Sequence, residues 1–95
     1  MNDELFDWDD ANILHLAEHD VEPEETEEVM LSDPLDAGFD AADGEERWSY
    51  VGETSQGRIL RVVITLRKGR MRVVTAFEPA IRIKQLFLRE KAGKL

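Results

Sequence analysis

Five arginines lie between residues 58 and 72 of this sequence, and two histidines are spaced four residues apart near its start. A guanidinium presents paired N–H donors in the geometry that a phosphate accepts, and an imidazole exchanges a proton near neutral pH. Cleavage of a phosphodiester without a metal uses both groups, because cations stabilise the phosphorane while an acid and a base move protons. The residue types therefore predict a site for a phosphate-bearing ligand.

Three of these side chains are the candidate catalytic residues: Arg58, Arg72 and His19. The arginines would stabilise the negative charge of the phosphorane. His19 ends a predicted helix, where the helix dipole favours the protonated imidazole and suits it to be a general acid. The structural alternative is that His19 caps the helix and packs against a sheet. The candidate residues for binding a nucleic acid, with guanidinium groups for phosphates and a ring for base stacking, are Arg61, Arg67, Arg70 and Phe77. For the arginines the alternative is an ordinary solvated sheet face.

No metal or cofactor is expected. His15 and His19 could chelate a metal ion from one helix face, but two ligands without a third make a weak site. The sequence has no cysteine, which excludes a disulfide framework, thiolate ligands for zinc and a thiol nucleophile. We expect a cytoplasmic protein without a membrane partner, since the longest apolar run is only three residues, Val62 to Ile64.

The charge is divided unevenly along the chain. The formal net charge is −9, which alone would argue against a nucleic-acid partner. However, residues 1–46 contain 18 Asp and Glu and no Lys or Arg, whereas residues 47–95 contain 12 Lys and Arg against three Glu, so the halves sum to −18 and +9. The basic half can bind an anionic partner. The alternative is that the acidic half only neutralises a basic sheet and keeps the protein soluble.

The first half predicts a short strand, two helices and a loop. Residues 5–8 alternate weakly and precede Asp9, a suitable N-cap. An apolar stripe predicts a helix through about His19, after which Asp20 adopts the left-handed C-cap conformation. Pro23 suits the first turn of a second helix that ends near Met30. Residues 32–46 are rich in Asp, Gly and Ala and predict a loop, with room for a further strand at residues 37–41.

The second half predicts strands at residues 47–51, 58–67 and 70–77, and a basic amphipathic helix that ends near Lys91. Lys68-Gly69 predicts a tight hairpin between the last two strands. With that register, alternation gathers four arginines on one sheet face: Arg61, Arg67, Arg70 and Arg72. The predicted fold is a single α+β domain over residues 1–95, in the order β-α-α-β-β-β-α, with a four-stranded antiparallel sheet whose other face carries the first two helices.

Several separated blocks of this sequence resemble the BrnT-like toxins of bacterial type II toxin–antitoxin systems. Residues 8–12, Trp-Asp-Asp-Ala-Asn, run into His15 and His19-Asp20-Val21 as in the opening block of that family. Residues 46–63 resemble the family's E-R...G-x-T-x-x-G-R-x-L-x-V-V block, and residues 72–76 resemble its closing strand. Departures occur at Glu18, where a basic residue is usual, at Asp20, where glycine is usual, and at Phe77, where arginine is frequent.

The resemblance implies a RelE-like fold and an endoribonuclease that a cognate DNA-binding antitoxin neutralises. Its partners would then be the antitoxin and the RNA substrate, and both a homodimer and a toxin–antitoxin hetero-oligomer are compatible with it. One alternative is a non-catalytic binding protein that keeps the fold and the partner surface. Another is acidic mimicry of nucleic acid by the first half of the chain.

Overall fold

A computed structural model describes residues 1–93 of the chain. Three helices and four strands follow one another as α1 (Asp10–Glu18), α2 (Pro23–Leu31), β1 (Leu35–Ala42), β2 (Glu45–Glu53), β3 (Ile59–Arg67), β4 (Arg70–Phe77) and α3 (Ile81–Gly93). The α+β class and the four-stranded antiparallel sheet agree with the sequence prediction. No helix within residues 1–93 has the length and apolar character that a membrane crossing requires.

The order of the elements differs from the predicted one at the first strand. Residues 5–8 form no strand; Phe6 makes an isolated parallel bridge to Met71, at the outer edge of β4. The fourth strand is β1, which lies within the predicted loop and covers residues 37–41, where the loop leaves room for a strand. The acidic, alanine-rich composition of β1 conceals it, because such residues are depleted in strands. The sheet order is β1-β2-β3-β4.

Two-residue turns close both outer hairpins. Lys68 and Gly69 have positive φ values of 54° and 78°, as the predicted tight hairpin requires. Asp43 and Gly44 repeat this geometry between β1 and β2, with φ values of 54° and 75°. Positive φ at both central positions matches the right-handed twist of the flanking strands.

The main core lies on one face of the sheet, here called the helix face. Leu60, Val62 and Ile64 of β3 point to this face and pack with Leu16 of α1 and Val29 of α2, all of them buried. This confirms that α1 and α2 cover one face. A smaller cluster on the opposite face joins Phe87 of α3 to the sheet, together with Val51, Ile59, Leu35 and Ile83. That opposite face, here called the arginine face, is therefore covered by α3 at one end only.

The caps of α1 fix where the helix starts and stops. Asp9 Oδ1 accepts a hydrogen bond from the Asn12 backbone N–H at 3.1 Å, and Asn12 Oδ1 accepts one from the Asp9 N–H at 2.8 Å. At the other end Asp20 has φ 58°, as predicted for the residue that ends the helix. His15 within α1 and His19 at its C-cap are thereby held at set positions beside the sheet.

Candidate nucleic-acid interface

The β3–β4 hairpin sets four arginines on the arginine face, as predicted. Its cross-strand pairs on this face include Thr65 with Arg72 and Arg67 with Arg70. Arg61 lies on the same face as Val63 and Thr65, because side chains two residues apart along a strand point to the same side. The hairpin that the cationic surface needs is thus present.

A β-bulge in β4 changes which other side chains join this face. The register shifts between Val63 and Ile64, so that Val63 pairs with Thr75 and Ile64 pairs with Val73. Alternation alone predicts Thr75 on the same face as Val73, but the extra residue carries Thr75 and Phe77 to the arginine face. Phe77 then pairs directly with Arg61.

At the turn end of the hairpin a single carboxylate lies among three arginines. Asp7 approaches Arg67 Nε at 3.6 Å, Arg70 Nη2 at 3.5 Å and Arg72 Nη1 at 3.6 Å. The backbone beside Asp7 is fixed, because the Asp7 N–H donates to the Met71 carbonyl at 2.8 Å and Phe6 is fully buried. The N-terminal segment therefore neutralises part of the arginine face.

Asp9 adds a second carboxylate to Arg72. Its Oδ2 lies 3.0 Å from Arg72 Nη1, and its Oδ1 accepts a hydrogen bond from Nη2 at 3.1 Å. The hydrogen bond from Arg72 and the one from the Asn12 backbone hold the pKa of Asp9 below its ordinary value. The hydrogen bond to Asp9 also raises the pKa of Arg72, against the opposing effect of burial. Arg72 is thus a fixed cation that is already paired within the chain.

Arg58 lies away from the other candidate arginines, on the helix side of the sheet. Its Nη1 donates to the Asp20 carbonyl at 2.7 Å and to both carboxylate oxygens of Glu25 at 3.0 and 3.1 Å, and Nη2 lies 3.4 Å from Glu78. Burial would lower the pKa of Arg58, but the contacts with Glu25 and Glu78 outweigh it and raise that pKa. Arg58 therefore ties the turn after α1 to α2 and to the end of β4.

The two histidines lie beside the C-terminal end of β4, at Thr75 and Phe77. His15 Nε2 lies 3.1 Å from Thr75 Oγ1, and His15 Nδ1 lies 3.7 Å from a Glu18 oxygen. The rings of His15 and His19 are 5.3 Å apart between centroids, and the His19 ring is 6.1 Å from the Phe77 ring. Two imidazoles, a hydroxyl and an aromatic ring thus adjoin at one place.

Arg61 completes this group, here called the His19 cluster and defined as His15, His19, Arg61, Thr75 and Phe77. Arg61 is the cross-strand neighbour of Phe77, and within residues 1–93 it makes no ion pair with any carboxylate. The cluster therefore combines a cation without an internal counter-ion, groups that can transfer protons and a ring on which a base can stack.

The candidate residues do not converge on a single point. Arg72 and Phe77 are five residues apart on β4, which corresponds to roughly 15 Å at the rise of a strand. Arg58 lies near His19, through the Asp20 carbonyl, but faces α2. The structure thus places His19 beside Phe77 and pairs Phe77 with Arg61 across the strands, and it leaves Arg67, Arg70 and Arg72 as a separate group around Asp7.

His15 and Thr75 are not among the catalytic residues predicted from the sequence. The i, i+4 spacing of the histidines does show that His15 and His19 share a helix face. Thr75 could not be found from alternation, since only the bulge carries it to this face. Within the described residues 1–93, no three His, Asp or Glu side chains are grouped to hold a metal ion.

Fold and site together define an α+β protein in which one sheet face presents arginines and an aromatic ring, and the histidines of the α1 segment lie beside the edge strand β4. A family model described as "Ribonuclease toxin, BrnT, of type II toxin-antitoxin system" matches residues 8–78. The chain belongs to this BrnT toxin family. The matched residues contain all the helices and strands from α1 to β4 and every member of the His19 cluster. No curated protein gave a match to the chain.

Proposed function

We propose that this protein is a metal-independent endoribonuclease toxin that cleaves RNA at the His19 cluster. The observation that carries the proposal is the position of Arg61, a cation without an internal ion pair in the part of the chain described: it pairs across the strands with Phe77, whose ring is 6.1 Å from the His19 ring. A phosphorane needs a cation that is free to accept a new anion. Arg58 and Arg72 are already occupied by carboxylates.

The groups of the cluster suit the steps of RNA cleavage. His15 takes the proton of the ribose 2′-hydroxyl, oriented by Glu18 at 3.7 Å from its Nδ1. The 2′-oxygen then attacks phosphorus, and the bond from phosphorus to the 5′-oxygen breaks as His19 protonates that oxygen. The products are a 2′,3′-cyclic phosphate and a free 5′-hydroxyl. Arg61 stabilises the phosphorane, and Phe77 stacks on a flanking base.

The remaining arginines have supporting roles in RNA binding and in the geometry of the site. Arg67, Arg70 and Arg72 bind phosphates further along the strand, where Asp7 and Asp9 hold their side chains in place. Arg58 positions His19 indirectly, because it donates a hydrogen bond to the carbonyl of the next residue, Asp20. We therefore regard Arg72 as a binding residue and Arg58 as a positioning residue, rather than as groups at the scissile phosphate.

The proposed function implies a protein partner and a similarity of fold to other ribonuclease toxins. A type II toxin works with an antitoxin protein, and we propose that a cognate DNA-binding antitoxin neutralises this chain. We also propose that the fold is RelE-like. The Phe6–Met71 bridge supports it, since it lies within residues 5–8, where the sequence predicts the first strand.

Cleavage of a mixed-sequence single-stranded RNA by the purified protein in EDTA tests the proposal. Wild type is expected to produce fragments with 2′,3′-cyclic phosphate ends. His15→Ala and His19→Ala should each slow the reaction by about 10²-fold or more, since general acid–base catalysis contributes that much. Phe77→Ala should mainly raise KM, because stacking acts in binding.

The matched control is Arg82→Ala in α3, which removes an exposed cation outside the cluster. Equal cleavage by wild type and both histidine variants would reveal a contaminating nuclease and contradict the proposal. Absence of cleavage by all of them, with RNA still bound, would assign the protein to the non-catalytic binding class.

A further inference from the structure

One end of the helix face is not covered by α1 and α2. Trp48 of β2 packs against the main core, and its cross-strand partner Phe39 lies with its ring 5.5 Å away. Phe39 and Leu66 are each 58% exposed, although both continue the face that is buried elsewhere. Large apolar side chains that stand together in solvent at a sheet end mark an interaction surface.

This surface, here called the hairpin patch, consists of Phe39, Glu46, Trp48 and Leu66. Glu46 is two residues from Trp48 along β2 and therefore lies on the same face. A groove of ≈ 390 Å³ runs beside it, lined by Gly44, Glu45, Glu46, Trp48, Thr65 and Leu66. The patch therefore combines a groove with exposed apolar side chains.

The surroundings of the patch are acidic. Residues 35–48 contain five carboxylates and a single cation, Arg47, which is paired with Glu45 at 3.0 Å. Within residues 1–93 the other four carboxylates of this segment make no ion pair: Asp36, Asp40, Asp43 and Glu46. This differs from the arginine face, where Asp7 and Asp9 supply the counter-charges.

We infer that the hairpin patch is the docking surface for a cationic amphipathic segment of the antitoxin. The identity of the partner rests on the proposed function. Its chemistry follows from the patch, since unpaired carboxylates around exposed aromatic and aliphatic groups complement Lys or Arg on a helix or strand with an apolar side. RNA is disfavoured here, because its phosphates would be repelled.

The two binding surfaces of the protein are then separate. RNA engages the arginine face, whereas the antitoxin is anchored on the opposite face of the sheet, at the hairpin end. Anchoring there leaves the cationic residues of β3 and β4 free for a second segment of the antitoxin or for RNA. Charge reversal on the arginine face should then leave the anchoring contact at the hairpin patch intact.

Calorimetric titration with the protein encoded by the neighbouring reading frame tests this inference. Phe39→Ser/Leu66→Ser is expected to weaken binding at least tenfold at both low and high salt, since apolar contacts are lost. Asp43→Lys/Glu46→Lys should weaken it to a similar extent at low salt, with a smaller effect at high salt because screening removes the charge contribution.

Glu4→Lys/Glu24→Lys is the matched control, since both side chains are exposed and the net charge changes equally. It should leave the affinity within about twofold of wild type. Equal weakening by this control, unchanged binding by Phe39→Ser/Leu66→Ser, or no binding by wild type would overturn the inference. A dimer in sedimentation equilibrium that dissociates only in Phe39→Ser/Leu66→Ser would also overturn it, by assigning the patch to a second copy of the chain.

RNA cleavage separates this result from the proposed function. Phe39→Ser/Leu66→Ser should cleave RNA at the wild-type rate in the absence of antitoxin, with an unchanged circular dichroism spectrum. If wild type cleaves RNA while the patch variants bind antitoxin normally, the docking inference fails and the ribonuclease proposal stands. Loss of antitoxin binding in the patch variants, with no RNA cleavage by wild type, would support the docking inference and contradict the ribonuclease proposal.

Discussion

The carboxylate of Asp9 contacts Arg72 through both oxygens, at 3.0 and 3.1 Å, while its Oδ1 also caps α1 through the Asn12 N–H. One side chain thus links the start of α1 to the arginine face. Because α1 contains His15 and is capped at its C-terminus by His19, this link fixes the His19 cluster relative to the arginines of β4. The N-terminal carboxylates accordingly have a structural role beside their effect on net charge.

Asp9 should make the stability of the protein depend on pH. Its folded-state pKa is lowered, so the stabilisation is present above the ordinary carboxyl pKa of ~4 and is lost as the pH falls through the folded-state value. Asp9→Asn keeps a capping oxygen but loses the charge. Urea unfolding should therefore show the variant less stable than wild type at pH 7, with the difference shrinking towards pH 3. Parallel stability curves would contradict this.

Asp7→Asn should strengthen RNA binding. The substitution removes the negative charge that lies 3.5 to 3.6 Å from three arginines, so phosphates no longer compete with it. We expect several-fold tighter binding of a labelled single-stranded RNA in fluorescence anisotropy at low salt, and a steeper loss of affinity as salt rises. Asp10→Asn makes the same change in net charge away from the arginines. An equal gain from Asp10→Asn would show that only net charge matters.

Gly52→Ala should destabilise the protein by about 1–3 kcal/mol, the usual cost of overpacking. A Cβ at this position would lie 2.8 Å from Val29 Cγ1 and 3.2 Å from Pro34 Cβ, and Val29 is fully buried. Denaturant unfolding measures the cost. The double variant Gly52→Ala/Val29→Ala should lose less than the sum of the two single losses, because Val29→Ala removes the clashing methyl. Simple additivity of the two losses would show that the clash is relieved in some other way.

Arg58 and Glu25 should be coupled in a double-mutant cycle. The guanidinium contacts both Glu25 oxygens, and each side chain is less than one quarter exposed. Removing either partner leaves the other charge partly buried and unpaired, so each alanine variant should lose about 1–3 kcal/mol while the double variant loses less than the sum. A coupling energy near zero would mean that Arg58 acts through the Asp20 carbonyl and Glu78 instead.

Much of the fold could be predicted from local signals. The helix starts at Asp9 and Pro23 and the Lys68-Gly69 turn follow from cap and turn chemistry, and all three are present. The β1 strand could not be predicted as a defined element because its composition disfavours strands. The Asp43-Gly44 pair is a signal for it, since Asp-Gly is favoured in two-residue hairpins.

The site was only partly predictable. Alternation correctly placed four arginines on one face, but the bulge that adds Thr75 is a packing irregularity without a clear local signal. The pairing of Arg58 with Glu25 joins residues 33 positions apart. Because that contact arises only when α2 packs on the sheet, no local pattern distinguishes Arg58, which is paired, from Arg61, which is not paired within the described residues 1–93.

The most direct test of the central claim is the single-turnover rate of RNA cleavage by Arg61→Ala in EDTA, with saturating enzyme. We predict a rate about 10²-fold or more below wild type, as expected for loss of a group that stabilises the transition state. Arg82→Ala should react at the wild-type rate. An Arg61→Ala rate equal to that of wild type, at equal RNA occupancy, would contradict the assignment of the His19 cluster as the site of cleavage.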